Sequence, residues 1–295
     1  MSQIGKEIHI PDRVSIKNGY GGLPYFELLW NGASAHLYLH GAHLLHYQPA
    51  GQLPVLWHSE ESWFEPGKPI RGGIPVCWPW FGQNSDDPVQ PSHGFVRLTE
   101  WKHLSASATA EATVVEMEFP DYLSPKGITL QLRAELNDKL TVSLITYNDS
   151  GSDFRFSEAL HSYFFVHDIH KVIVSGLEGQ HFIDSLSRGL PPQKQNGPIL
   201  FSAETDRIYI NTTHTCNIVD DVCKRIIQIN KQNSLSTVVW NPWIEKSIRM
   251  PDFGAREFLN MLCVETANCG PNSLVLASGE SHDLRLQISS YNMTT

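Results

Sequence analysis

The stretch ITLQLRAELNDKLTVSLITYN, residues 128–148, decides the fold. Its first nine residues place Ile128, Leu130, Leu132, Ala134 and Leu136 on one side and Thr129, Gln131, Arg133 and Glu135 on the other. A repeat of two is the period of a β-strand, and a single apolar side means one face on a core and one in water. The alternation resumes in Leu140, Val142 and Leu144, and Asn137-Asp138 between the runs predicts a two-residue hairpin turn. An antiparallel sheet with one polar face follows.

The same pattern spreads outward in both directions. FRFSEALHSYFFV, KVIVSGL, RIYIN, KRIIQIN, STVVWNP, EFLNMLCVET and HDLRLQI follow it, separated by glycine, proline and asparagine clusters at fairly even intervals. On the N-terminal side, ASAHLYLHGAHLLHYQP (33–49) reads as two strands broken at Gly41. Only 57–65 and 252–260 suggest short helices. The prediction is an all-β protein, a large antiparallel β-sandwich with a few short helices. The polar loop 193–206 is too short for a linker, and no repeat or low-complexity run appears, so residues 1–295 are expected to form one domain.

Composition narrows the function classes. A net charge of -9 argues against a nucleic-acid partner, which needs a basic footprint. Nowhere do eighteen apolar residues run together, so no membrane span is expected. MSQIGKEIHIPDRV carries charge and proline where a signal peptide would need an apolar run. The five cysteines (Cys77, Cys216, Cys223, Cys263 and Cys269) form no CxxC pair, and reduced thiols in a cytoplasmic protein fit best. A monomer is the default, since no assembly segment appears.

The segment KPIRGGIPVCWPWFGQNSDDPVQPSHGFVR (68–97) breaks the strand pattern. Glycine pairs and prolines weaken a sheet ladder, and Trp78, Trp80 and Phe81 are large apolar groups for an idle loop. Arg71 and Arg97 flank this stretch, and guanidinium pairs bidentately with phosphate or carboxylate. The segment reads either as the wall of an anion-binding pocket, with His93 between aromatics, or as a tight structural turn with surface arginines.

Four further positions carry potential chemistry. His161 falls on one face with Tyr163 and Phe165, as a core histidine or as a proton donor, its ordinary pKa of about 6.5 lying near neutrality. Glu265 ends the run LNMLCVE on the face of Leu259, Met261 and Cys263, where a carboxylate is costly unless paired or functional. Asp206 opens a strand, as a sugar-hydroxyl acceptor or as half of a solvated pair with Arg207. Asn241 lies between Trp240 and Trp243, an aromatic turn suited to a sugar ring or to the core. His36, His40, His43 and His46 have helix-face spacings inside a strand pattern, which disfavours a metal site. Cys77 and Cys263 sit in apolar runs and read as inert. GxGxxG, P-loop, HExxH and GxSxG motifs do not occur.

Taken in order, KPIRGGIPVCWPWFG, SHGFVR, ALHSYF, TDRIY, VVWNPW and CVETAN resemble the hexose-6-phosphate mutarotases, the glucose-6-phosphate 1-epimerase branch of the aldose 1-epimerase superfamily. The resemblance runs from about Gly41 to Gly279. It implies a galactose mutarotase-like β-sandwich and reversible interconversion of α and β anomers at C1 of an aldohexose 6-phosphate, with no cofactor and no metal. By the same resemblance His161 is the proton donor and Glu265 the catalytic base. Arg71, His93, Arg97 and Asp206 would bind the small-molecule phosphosugar. One departure is Ser92, where some relatives carry glutamine; the shorter side chain would lose or water-mediate a substrate contact. The rival readings are a non-catalytic carbohydrate or sugar-phosphate sensor on the same fold and a secreted polysaccharide lyase or hydrolase. Both His161 and Glu265 in their motifs weigh against the first, the small-anion pocket against the second.

Overall fold

A computed structural model describes residues 8–187 and 189–293; the first seven residues of the N-terminal stretch read above lie outside them. Ile128–Leu136 and Leu140–Asn148 form the expected hairpin, with Ile128, Leu130, Leu132, Ala134 and Leu136 all buried. The connection is one residue longer than the sequence suggests: Leu136 pairs with Leu140, and Asn137 to Lys139 make the turn. The Asn137 side chain accepts from the Lys139 backbone N–H at 3.0 Å, which closes the loop locally.

This hairpin lies inside an eight-stranded antiparallel sheet. On one side follow Thr113–Glu118 and Lys102–Ala108; on the other lie Ser281–Asn292, Arg225–Gln232, Cys216–Asp220 and Val172–Ser175. A second eight-stranded sheet carries Thr205–Ile210, Ser236–Asn241, Met261–Asn268 and Glu158–Leu160 in its middle, with Val76–Cys77 at one edge. Tyr163–Phe165 also pairs with Met261–Asn268. One continuous apolar cluster joins Leu132, Val142 and Leu286 of the first sheet to Val239, Val264 and Phe164 of the second, which is the core of a β-sandwich. The strands expected around Gly41 are Ala33–Tyr38 and His43–Gln48, in a four-stranded sheet with Val14–Asn18 and Pro24–Trp30.

The helix expectations are corrected in detail. Residues 57–65 are irregular, with one turn at Glu60–Glu61 and an isolated bridge from His58 to Gly72, while the 252–260 region holds only the 3-10 turn Glu257–Asn260. The α-helix is instead Trp243–Arg249, launched by the WNPW motif: the Asn241 side chain accepts from the Trp243 N–H at 2.9 Å. Asn241 also donates to the carbonyls of Phe258 and Met261, so its work is structural rather than sugar-facing. The histidines near Gly41 are likewise absorbed by the fold. His40 and His43 bond the carbonyls of Lys68 and Gly72, at 2.7 and 2.8 Å.

Residues 68–97 contain only the two-residue strand Val76–Cys77 and the start of a 3-10 turn at Val96. Gly94 shows why the segment is punctuated as it is. Its φ is +75°, and a Cβ there would stand 1.9 Å from the Trp78 carbonyl oxygen. Gly94→Ala is expected to destabilise the protein by at least about 2 kcal/mol, read as a lower midpoint in urea with an unchanged slope. An unchanged midpoint would show that this backbone can relax without cost.

Among the described residues no helix is long and apolar enough to cross a membrane.

Candidate active site

The site grows from the register of the second sheet. Glu158–Leu160 pairs with Met261–Asn268 so that Leu160 faces Thr266, and Tyr163–Phe165 pairs with the same strand so that Tyr163 faces Cys263. The same register carried through the unpaired step sets His161 opposite Glu265. On the other side Glu265 faces Val238, and Val238 faces Ile208. One row across the sheet is therefore Ile208, Val238, Glu265 and His161. Two residues along each strand gives a second row on the same face: Asp206, Trp240, Cys263 and Tyr163. Glu265 is thus in the middle of a central strand that runs to Asn268, not at a strand end. Leu259 belongs to the 3-10 turn before that strand.

Seven of these eight side chains, all but Cys263, line a cavity of about 550 Å³. Arg71, Phe81, Gly82 and His93 from the 68–97 segment form its opposite wall. Lys246 and Met250, from the helix and its end, complete a side together with Ser185. The alternate residues of the central strands, including Val239, Val264 and Leu262, turn into the sandwich core. That explains why Ser236–Asn241 and Met261–Asn268 are buried at every position. One face is covered by the partner sheet, the other by the cavity wall.

His161 Nε2 lies 3.4 Å from Glu265 Oε1. Burial holds the Glu265 carboxyl well above the usual range, reinforced by Asp206 and opposed by Arg97. Burial also holds His161 well below its usual value, with the positive field of Arg97 and Arg71 adding to it. Both groups resist carrying charge alone, so the pair carries one proton between them and stays neutral overall. The imidazole is fixed by aromatic packing: Tyr163 stacks on it at 4.9 Å, and His93 and Trp240 meet it edge-on at 5.5 and 6.3 Å.

His93 occupies the left-handed backbone region, at φ 64°. Its Nδ1 accepts from the Gly82 N–H at 3.2 Å, which leaves the ring hydrogen on Nε2. Burial, with Arg97 and Arg71 nearby, pushes its pKa down to about 3, so it is a neutral donor at the cavity wall.

The arginines divide. Arg71 lines the cavity while its guanidinium pairs with Asp252 at 3.0 Å and donates to the Tyr163 hydroxyl at 2.9 Å. Arg97 is not among the lining residues. It donates to the Ser92 carbonyl at 2.7 Å and acts on Glu265, His161 and His93 through its field. Asp206 faces the cavity with its carboxyl raised by burial and drawn back down by Lys246, whose ammonium stands 3.6 Å away and 5.5 Å over the Trp240 ring. Lys246 and Asp252 escaped the sequence reading. Their only signal was charge beside the WNPW and PDFG punctuation, and nothing in strand periodicity tells which way a turn of helix folds back. Trp243 packs on His170 and Phe258, so of the two tryptophans only Trp240 reaches the cavity.

A cavity of sugar size, with a buried carboxyl–imidazole pair on its sheet floor and a cation on its wall, defines an acid–base enzyme for a small polar substrate. The chain belongs to the aldose 1-epimerase family, which it matches over residues 28–289. It is 36% identical to a candidate glucose-6-phosphate 1-epimerase of Escherichia coli (strain K12), over 83% of each chain. It is 31% identical to a protein of the same description from Cenchrus ciliaris, over 86% of this chain and 80% of that one. The crystal structure of a candidate mutarotase from Salmonella typhimurium superposes with a TM-score of 0.88 at 29% identity, covering 97% of this chain and 96% of that one.

Proposed function

We propose that this protein interconverts the α and β anomers of an aldohexose 6-phosphate, glucose 6-phosphate first among them. The observation that carries this reading is the buried Glu265–His161 contact on the cavity floor of an aldose 1-epimerase family member. Mutarotation opens the hemiacetal, turns the C1 carbonyl and closes the ring on its other face. Opening requires that the C1 hydroxyl lose a proton while the ring oxygen gains one. From the form in which the shared proton has passed to His161, Glu265 takes the first and His161 gives the second; closure runs both transfers backwards. A pair that holds one proton and can pass it either way suits a reaction that returns the enzyme to its starting state each cycle. Positioned proton transfer is worth roughly 10²–10⁴-fold, enough for a reaction that already proceeds unaided in water.

Around the pair, Asp206 accepts from a sugar hydroxyl, the His93 ring donates to one, and Trp240 offers its face to the ring. Arg71 holds the 6-phosphate, and Arg97 assists through its positive field behind His93. Phosphate is remote from C1, so its binding energy orients the sugar without touching the reacting atoms. We also read the chain as one catalytic domain. The pairing of Ser281–Asn292 with both Leu140–Asn148 and Arg225–Gln232 supports this, because it ties the C-terminal strand into the centre of the first sheet.

The test is anomer exchange followed by NMR, with protein added to equilibrated glucose 6-phosphate and separately to glucose. Acceleration confined to the phosphosugar is expected. Equal acceleration of both sugars would remove the phosphate argument, and exchange of no hexose 6-phosphate (the galactose and mannose forms included) would leave a sugar-phosphate binding protein.

A further inference from the structure

We propose that His161, Cys263 and Glu265 form a capture site for a thiophilic divalent cation, of the Zn²⁺ or Cd²⁺ class. The register that makes the acid–base pair also makes this site. Cys263 lies in the same sheet strand as Glu265, two residues away on the same face, and directly opposite Tyr163 beside His161. One ligand atom from each of the three residues lies within 4.8 Å of the others, and all three residues are buried. Zinc bonds of about 2.0–2.3 Å place tetrahedral ligand atoms roughly 3.3–3.8 Å apart. The His161–Glu265 separation of 3.4 Å already fits, and the Cys263 sulfur, within 4.8 Å of both, needs to close in by at most about 1 Å.

The second observation is a polar deficit. His161 Nδ1 and Glu265 Oε2 are buried and have no hydrogen-bond partner. Neither residue has a full set of partners within the protein, and their remaining polar atoms, Nε2 and Oε1, meet each other at 3.4 Å, where a cation could take both. Imidazole, thiolate and carboxylate are a donor set for Zn²⁺ or Cd²⁺ and a poor one for Mg²⁺ or Ca²⁺. Three protein ligands leave a fourth position open, and because His161 and Glu265 line the cavity, the cation enters from it and the open position faces it. The exchange balances. One divalent cation replaces the thiol proton of Cys263 and the single proton shared by the pair, so two protons leave and the buried charge is unchanged. Neither Arg71 nor Arg97 then faces added positive charge.

Binding of the cation stands apart from the mutarotase reading; its consequence, a blocked acid–base pair, rests on it. The experiment titrates CdCl₂ into the full chain carrying Cys223→Ser, which removes the one cysteine that is not buried. The expected result is an ultraviolet thiolate-to-cadmium charge-transfer band that saturates at one equivalent and is displaced by Zn²⁺. Adding Cys263→Ser should abolish the band and weaken cadmium binding by more than ~100-fold, while adding Cys77→Ser leaves both. If Cys263→Ser fails to fold, Cys263→Ala and cadmium-113 NMR of the otherwise unmodified chain replace it, a shift typical of one sulfur ligand being expected. A band that survives loss of Cys263, or a cadmium shift typical of oxygen and nitrogen ligands alone, overturns the site. Zn²⁺ should also slow glucose 6-phosphate exchange, with recovery on chelation. Cadmium held through Cys263 without any slowing would leave the metal site standing and sink the acid–base role of the pair.

Discussion

Glu265→Gln is expected to abolish the acceleration of anomer exchange, a loss of roughly 10²–10⁴-fold, while the folded protein becomes more stable at neutral pH. Both halves have one cause. The carboxyl sits at 1% exposure on the cavity floor, with one oxygen facing His161 and the other unpartnered. An amide keeps the shape but cannot take the C1 hydroxyl proton. It also cannot ionise, and here ionisation opposes folding. Because burial and Asp206 raise the folded-state pKa of Glu265, the native protein holds this proton at pH values where the unfolded chain has lost it. Stability therefore falls as pH rises from about 4.5, the ordinary value, towards the raised one. His161 runs the other way: its lowered pKa makes its contribution to stability rise with pH up to about 6.5. The midpoint difference between Glu265→Gln and the parent should accordingly widen as pH increases above 4.5, by about 2–4 °C for each kcal/mol relieved. Thermal melts at several pH values, run beside the exchange assay, decide it. Retained exchange would exclude Glu265 as the base, and a variant less stable than the parent at pH 8 would mean its carboxylate is satisfied by groups other than those described.

Arg71→Ala carries the second large effect. Losing a charge-assisted contact to phosphate is worth about 1.5–3 kcal/mol, so KM for glucose 6-phosphate should rise about 10–100-fold. The weak binding of free glucose should fall far less, because the phosphate contact is absent there. Stability should fall as well. Asp252, its side chain 4% exposed, loses the guanidinium that neutralises it, and an abandoned buried charge costs about 3–5 kcal/mol. Adding Asp252→Asn separates the two losses. The double variant is expected to regain most of the melting temperature and none of the phosphosugar affinity. If affinity returns with stability, Arg71 serves only to brace the wall, and another cation holds the phosphate. Lys246 is the next in place to do so, since it also lines the cavity, although Glu204 and Asp206 already share its charge.

The site also explains how a sheet can be both core and catalyst. Each central strand spends one face on the sandwich interior and the other on chemistry, with no polar, water-facing side left over. Large flat aromatics do the bracing. Tyr163 and Trp240 sit next to the acid–base row and pack on His161, which holds the imidazole in place beside Glu265.

Much of this was legible in the chain before folding. Alternation fixed which residues share a face: Ile128 with Leu130, and equally Asp206 with Ile208, Val238 with Trp240, Cys263 with Glu265, and His161 with Tyr163. Parity is local, because successive side chains of an extended backbone must point to opposite sides. Glycine and proline in 68–97 likewise announced an irregular wall, since Gly94 meets a backbone that leaves no space for a Cβ. Register was not legible. Whether Glu265 faces His161 or misses it by two residues depends on how Glu158–Leu160 and Tyr163–Phe165 align with Met261–Asn268, and a slip of two would leave every parity intact. The three-residue turn at Asn137, the helix after Asn241 and the ion pair from Arg71 to Asp252 are of the same kind. The ion pair joins residues 181 positions apart, and Asn241 is held by the carbonyls of Phe258 and Met261, so both follow from packing the whole sandwich; the turn is closed within its own three residues, by a bond that periodicity does not reveal. Sequence alone thus determined the all-β class, the faces and the residue types available for proton transfer. Tertiary structure alone decided which of them meet, which arginine reaches the cavity, and that a buried thiol lies beside the catalytic pair.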